Sequence, residues 1–229
     1  MLSPILVAGE WRRGRGDVYA SRYPADNSVN AELAAANIAD VEEAIEAADA
    51  ARRRPEWNGL KPHERAAILY RVASIIRSRA EELAKLQLRD NGKPISETRA
   101  LVASAAGTFQ FFAAACETLE ETITPARGDY LTMSIHEPLG VIAAITPWNS
   151  PIASEAQKLA PALAAGNAVI VKPAEVTPLL ALELGRICEE AGVPKGVVSV
   201  LPGKGSVIGE FHGVIAAMTP SGSWMLIVR

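Results

Sequence analysis

Cysteine is scarce in this chain of 229 residues: only Cys116 and Cys188 occur, with no Cys-x-x-Cys spacing. A supply so small excludes a disulfide framework and favours reduced core thiols, so a cytoplasmic location is expected. Aromatic residues make up 5%, and 23 Lys and Arg face 26 Asp and Glu for a net charge of −3. With no basic block to track a phosphate backbone and no array of arginines and aromatics for bases, a nucleic-acid partner is not expected. His63, His136 and His212 are far apart, with no carboxylate or cysteine at ligand spacing, so no metal site is expected. Met1 to Ala8 is too short for the apolar part of a signal peptide, and charged residues interrupt the apolar runs before bilayer length, so no membrane partner is expected. The apolar fraction of 49% is ample for the core of one domain, or of one and part of a second.

The periodicity divides the chain in two. A possible hairpin lies around Leu6 to Trp11, and helical spacing begins near Asp40, where Asp40 and Glu43 suggest a capping box. A second helical region runs from Pro62 to the stop signal Asn91-Gly92-Lys93-Pro94, and a third from about Ser96 to Leu119. The first 120 or so residues are therefore expected to be mostly helix. From Gly128 to His136 polar and apolar residues alternate as in a half-exposed strand.

Beyond that segment the pattern changes again. Gly140 to Ile145, Ala168 to Val171 and Gly196 to Leu201 are apolar runs suited to strands covered on both faces. Helices are expected between them, one opening at Ser150-Pro151 with a break or restart at Pro161, the other opening at Thr177-Pro178. Strand, helix, strand, helix, strand with tight turns is an α/β class with a Rossmann-like doubly wound parallel sheet, here preceded by a helical N-terminal region. Ligands of such sheets bind beyond the carboxyl ends of the strands, where Asn149 and Lys172 both fall.

Single residues leave more than one role open. An asparagine before Ser150-Pro151 suits a helix entry, and its amide also suits an oxyanion donor. A lysine and a glutamate three apart, Lys172 and Glu175, form casual surface ion pairs more often than ligand sites. A glycine after a strand, such as Gly203, Gly205 or Gly209, most often marks a turn.

Taken in order, Pro147-Trp148-Asn149, Lys172-Pro173-Ala174-Glu175 and Gly203-x-Gly205-x-x-x-Gly209 on successive strand ends resemble the NAD(P)-dependent aldehyde dehydrogenase superfamily. Glu137-Pro138-Leu139-Gly140 and Leu159-Ala160-Pro161-Ala162-Leu163 extend the resemblance, which covers roughly residues 5 to 210. It implies oxidation of an aldehyde to a carboxylic acid through a cysteine thiolate, with the nicotinamide taking the hydride and a base-activated water completing the turnover. It implies Asn149 as the oxyanion donor, a role whose loss costs about 10²–10³ in rate. It further implies Lys172 and Glu175 on the adenosine ribose, Ile145, Thr146, Pro147 and Trp148 along the nicotinamide, and Gly205 and Gly209 where the cofactor approaches the backbone. An uncompensated Glu175 carboxylate would repel a 2′-phosphate by up to ~4 kcal/mol at 4 Å and an effective dielectric near 20, so NAD is expected over NADP.

The resemblance also implies a layout and names what is missing. Residues 1–127 are expected as the helical part of the cofactor-binding domain, 128–139 as a bridging β-segment, 140–211 as the Rossmann-like NAD-binding unit and 212–229 as a divergent tail in which the family's next helix is shortened or lost. The glycine-glutamine-x-cysteine setting of the family nucleophile and the glutamate-leucine-glycine-glycine setting of its general base do not occur in this sequence. Cys116 is expected as a buried helix thiol, and Cys188, near acidic neighbours, as a thiol of raised pKa. The expectation is thus a truncated, incomplete enzyme whose complete form is a homo-oligomer, and which alone is inactive and poorly soluble. The alternatives are a non-catalytic NAD-binding or subunit-interaction module, and a different dinucleotide enzyme.

Overall fold

The computed structural model describes residues 2–125, 128–209, 214–218 and 224–228, the last two segments as backbone only. The chain opens on a hairpin, β1 (Ile5–Val7) and β2 (Glu10–Arg12), turned by Ala8 and Gly9 at positive φ. A second hairpin, β3 (Val18–Arg22) and β4 (Val29–Ala34), forms a sheet of its own. Its turn is built by Asp26, whose Oδ1 accepts from the Ser28 N–H at 2.9 Å, and by Asn27 in the left-handed region. The expectation of helix does not provide for this hairpin.

Helices α1 (Ile38–Arg53), α2 (Pro55–Asn58), α3 (Pro62–Ser78), α4 (Ala80–Asn91) and α5 (Ile95–Thr118) follow. Three details differ from the sequence reading. The cap of α1 is Asn37, whose Oδ1 accepts from the Asp40 N–H while Asp40 Oδ2 accepts from the Asn37 N–H, both at 3.1 Å, so Asp40 is the third helical residue and not the cap. The region from Pro62 to Asn91 is two helices that meet at Arg79. Finally, α5 is long and apolar enough to cross a bilayer by length and composition, because its many alanines carry no charge. Its face of Val102, Ala105, Ala106, Phe109 and Ala113 is instead buried, with α3, α4 and α6 as its packing neighbours.

Among the described residues, the segment 120–137 forms no regular strand. An antiparallel bridge pairs Ile123 with Met133, flanked by hydrogen bonds from the Thr124 N–H to the Thr132 carbonyl at 3.2 Å and from the Ser134 N–H to the Thr122 carbonyl at 2.8 Å, and Tyr130, Leu131, Met133 and Ile135 are exposed. The segment pairs with itself over these few residues, so the alternation yields a short bridge and not the regular strand expected.

The α/β part contains β5 (Val141–Ile145), α6 (Pro151–Ala164), β6 (Ala168–Lys172), α7 (Leu179–Glu190), β7 (Val198–Val200), α8 (Gly205–Ile208), β8 (Val214–Met218) and β9 (Trp224–Val228). They build a seven-stranded sheet in the order β2-β1-β7-β6-β5-β9-β8, in which β5, β6 and β7 are parallel and β1 and β9 join antiparallel at either side. The N-terminal hairpin therefore belongs to the same sheet as the expected NAD-binding unit. The shortened helix expected after Gly209 falls at residues 210–213, outside the described residues. Pro161 does not break α6, which runs unbroken with Leu159, Ala160, Ala162 and Leu163 buried. Packing against the sheet and against α3 and α5 outweighs the one backbone hydrogen bond that the proline removes.

The layers follow from these contacts. Helix α1 packs on β5, β6 and β7; α6 and α7 pack on the same sheet, and α3, α4 and α5 lie outside them. Trp57 of α2, fully buried, ties the chain that follows α1 to the turn between α6 and β6 by donating from Nε1 to the Gly166 carbonyl at 2.9 Å.

Candidate functional site

Three parallel strands deliver three loops to one edge of the sheet. In the register of β5 and β6, Ile145 stands opposite Lys172, and the Thr146 N–H donates to the Lys172 carbonyl at 3.1 Å. On the other side of β6, the Leu201 N–H donates to the Val171 carbonyl at 2.8 Å. The loops at 146–149, 173–178 and 201–204 thus leave neighbouring strands side by side. The sequence-predicted residues Ile145, Thr146, Pro147, Trp148, Asn149, Lys172, Glu175, Gly205 and Gly209 all lie at these exits or just beyond them.

Their environments differ. Trp148 is 61% exposed and Asn149 is exposed, so its carboxamide faces solvent at the start of α6. Thr146 is buried, which turns its side chain away from the open edge, and Ile145 and Pro147 are half-buried. Lys172 is buried; its Nζ donates to the Pro173 carbonyl at 3.1 Å and lies 3.7 Å from Glu175 Oε2. Burial holds the Lys172 ammonium below its ordinary range, against the opposing pull of Glu175. Glu175 itself remains half exposed and lines a cavity of about 340 Å³ together with Tyr19, Asn37, Lys204 and Val207.

The glycines have distinct reasons for lacking a side chain. A Cβ on Gly209 would lie 2.3 Å from the Gly205 carbonyl oxygen, and one on Gly203 would lie 2.8 Å from Ile208 Cδ1. Gly205 meets nothing within 4 Å, so its backbone faces open space in which a ligand can come close.

Two groups escaped the sequence reading. Tyr19, from the unforeseen hairpin, forms part of the wall of the Glu175 cavity. Glu155 is 1% exposed, and its Oε1 accepts from the Thr146 hydroxyl at 3.0 Å. Burial, with Asp90 adding to it, pushes the Glu155 carboxyl well above the ordinary carboxylate range. The available signal was a lone acid among Ile152, Ala153 and Ala156, all buried.

The thiols stand elsewhere. Cys188 is fully buried on α7, and desolvation with the nearby Glu189 pushes it up to about 12. Cys116 is only half-buried, a correction to the expected buried thiol, and donates to the carbonyls of Pro62 at 3.3 Å and Ala164 at 3.4 Å. Among the described residues no group of three His, Cys, Asp or Glu is placed to hold a metal ion.

Residues 11–213 match the model of the aldehyde dehydrogenase family. The fold is similar to that of the aldehyde dehydrogenase KauB from Pseudomonas aeruginosa, at 38% identity and a TM-score of 0.88 over 90% of this chain and 42% of that one. It is equally similar, at 35% identity and a TM-score of 0.88, to the indole-3-acetaldehyde dehydrogenase of P. syringae in complex with NAD⁺ and IAA, over 90% of this chain and 42% of that one. The NAD⁺ complex of aldehyde dehydrogenase from Bacillus cereus matches at 33% identity and 0.88, over 91% and 43%. The chain therefore spans less than half the length of these three structures.

Proposed function

This chain belongs to the aldehyde dehydrogenase family, and on that premise we propose that it supplies the cofactor-binding and oxyanion-stabilising part of an NAD-dependent enzyme that oxidises an aldehyde to a carboxylic acid. The observation that carries the reading is the tie between neighbouring strand exits: Thr146 bonds the Lys172 carbonyl, so the loop of Asn149 and the Lys172–Glu175 pair share one edge. The whole reaction also needs a thiolate and a general base whose family contexts the 229 residues do not contain.

The residues suit the cofactor. A buried ammonium with three donors beside a half-exposed carboxylate can give to one ribose hydroxyl and accept from another. Gly205 leaves open space where the dinucleotide backbone would pass. The dinucleotide that Lys172 and Glu175 would hold would supply the hydride acceptor for the aldehyde carbon. The chain's own part is to hold it through Lys172 and Glu175 and to point the Asn149 amide N–H at the oxygen of the substrate, where negative charge develops. Glu175 favours NAD over NADP by repelling a 2′-phosphate.

Lys172→Ala should weaken NAD by about tenfold or more through loss of charge-assisted hydrogen bonds, by calorimetric titration. Unchanged affinity would remove the pair from the cofactor site.

A second role rests on the segment from Leu119 to Leu139, where Leu119, Ile123, Tyr130, Leu131, Ile135 and Leu139 are all exposed. So much bare apolar surface supports a subunit contact, hence a homo-oligomer in the complete form and a chain of limited solubility alone. Two free thiols and no disulfide support a cytoplasmic location.

A further inference from the structure

Asn149 stands on a five-residue connection between β5 and α6, and that connection is fastened at its first residue. Thr146 is 3% exposed, and both of its donors are committed: the N–H to the Lys172 carbonyl and the hydroxyl to Glu155 Oε1. Glu155 lies on the second turn of α6, so the hydrogen bond folds the loop back onto the helix that it leads into. The other carboxyl oxygen, Oε2, is buried with no hydrogen-bond partner. A carboxyl hidden this completely costs desolvation free energy, and an apolar side chain of the same size would avoid that cost. Its presence calls for a task that an apolar group cannot perform, namely accepting the Thr146 hydroxyl in a dry site.

We propose that Glu155 is a positioning residue, which fixes Thr146 and through it the placement of the loop that carries Trp148 and Asn149. The consequence for catalysis rests on the reading of Asn149 above; the mechanical tie does not. Burial, with the charge of Asp90 on α4 adding to it, favours the protonated form, whose carbonyl oxygen can accept the Thr146 hydroxyl. A glutamine reproduces that acceptor and the volume. Leucine fills the space but leaves the Thr146 hydroxyl unpaired, and Thr146→Val removes the donor from the other end.

Exposed Trp148 reports on the loop. Its fluorescence anisotropy decay is obtained by subtracting the signal of Trp148→Phe in each background, with a thermal melt of every variant. Glu155→Gln should keep the fast, local component of Trp148 at the wild-type amplitude. Glu155→Leu and Thr146→Val should at least double it while the melts stay cooperative. If Glu155→Leu does not fold, Thr146→Val against Glu155→Gln decides. Equal mobility in glutamine and leucine variants, or wild-type mobility in a folded Thr146→Val chain, would overturn the proposal. NAD is titrated into the same proteins: a chain that binds none refutes the functional reading, and the Trp148 amplitudes still judge the tie.

Discussion

Lys172 Nζ and Glu175 Oε2 lie 3.7 Å apart, with the lysine buried and the glutamate in partial contact with solvent. The pair is asymmetric: the cation is fixed by the fold, whereas the carboxylate is presented outward. Glu175→Gln keeps the shape and removes the charge. It should weaken NAD and shift the NAD to NADP affinity ratio by about tenfold toward NADP, since the repulsive element is gone. Titration of both dinucleotides into both proteins measures it, and an unchanged ratio would return Glu175 to an ordinary surface ion pair.

Asp90 gives the fold a pH dependence. Its Oδ1 accepts from the Ser21 hydroxyl and its Oδ2 from the Leu179 N–H, each at 2.9 Å, yet burial outweighs both and pushes the carboxyl up to about 7. A folded-state pKa above the unfolded value means that the folded chain holds a proton which the unfolded chain releases. The stabilisation is full below about pH 4 and is lost as pH rises through about 7, amounting to a few kcal/mol over that window. Buried Glu155 acts in the same sense. Urea unfolding between pH 4 and 8 should show this decline in the wild type and a flatter profile in Asp90→Asn. Equal slopes would contradict it.

Trp57 joins α2 to the turn between α6 and β6 through one indole and one carbonyl. Trp57→Ala should cost about 3–5 kcal/mol by emptying a fully buried site. Trp57→Phe should cost less but remain measurable, because the Gly166 carbonyl loses its donor. Chemical denaturation checks both values, and a loss under about 1 kcal/mol in the alanine variant would mean that the fold does not depend on this contact.

The two thiols should differ in reactivity. A thiol-specific disulfide reagent should label Cys116, which is half-buried, and spare Cys188 until the chain is denatured. Since neither thiol stands at the strand exits, Cys116→Ser and Cys188→Ser should change NAD affinity by less than about twofold. Aldehyde turnover by the 229-residue chain itself should be undetectable.

The parallel strands were legible because Val141 to Ile145 and Ala168 to Val171 are covered on both faces, so every position is apolar. The order of loops at their ends was legible for the same reason. The β3–β4 hairpin was not: its strands bury only part of their surface, and Val18 and Val29 are exposed, so no alternating stripe announces them. Pro161 misled because a local rule was applied where tertiary packing decides. Glu155, a lone acid among apolar neighbours, was easy to misread for a related reason. On α6 it reads as a solvated helical acid, and only the stacking of α6 between the sheet and the outer helices removes it from water.

The central claim is that this part of the family fold holds the dinucleotide at the Lys172–Glu175 strand exit. Calorimetric titration of NAD into the 229-residue chain and its Lys172→Ala variant tests it most directly. The account predicts one saturable site in the wild type and an affinity at least about tenfold lower in the variant. A cooperatively folded wild-type chain that shows no heat of binding, or a variant that binds as tightly as the wild type, would contradict it.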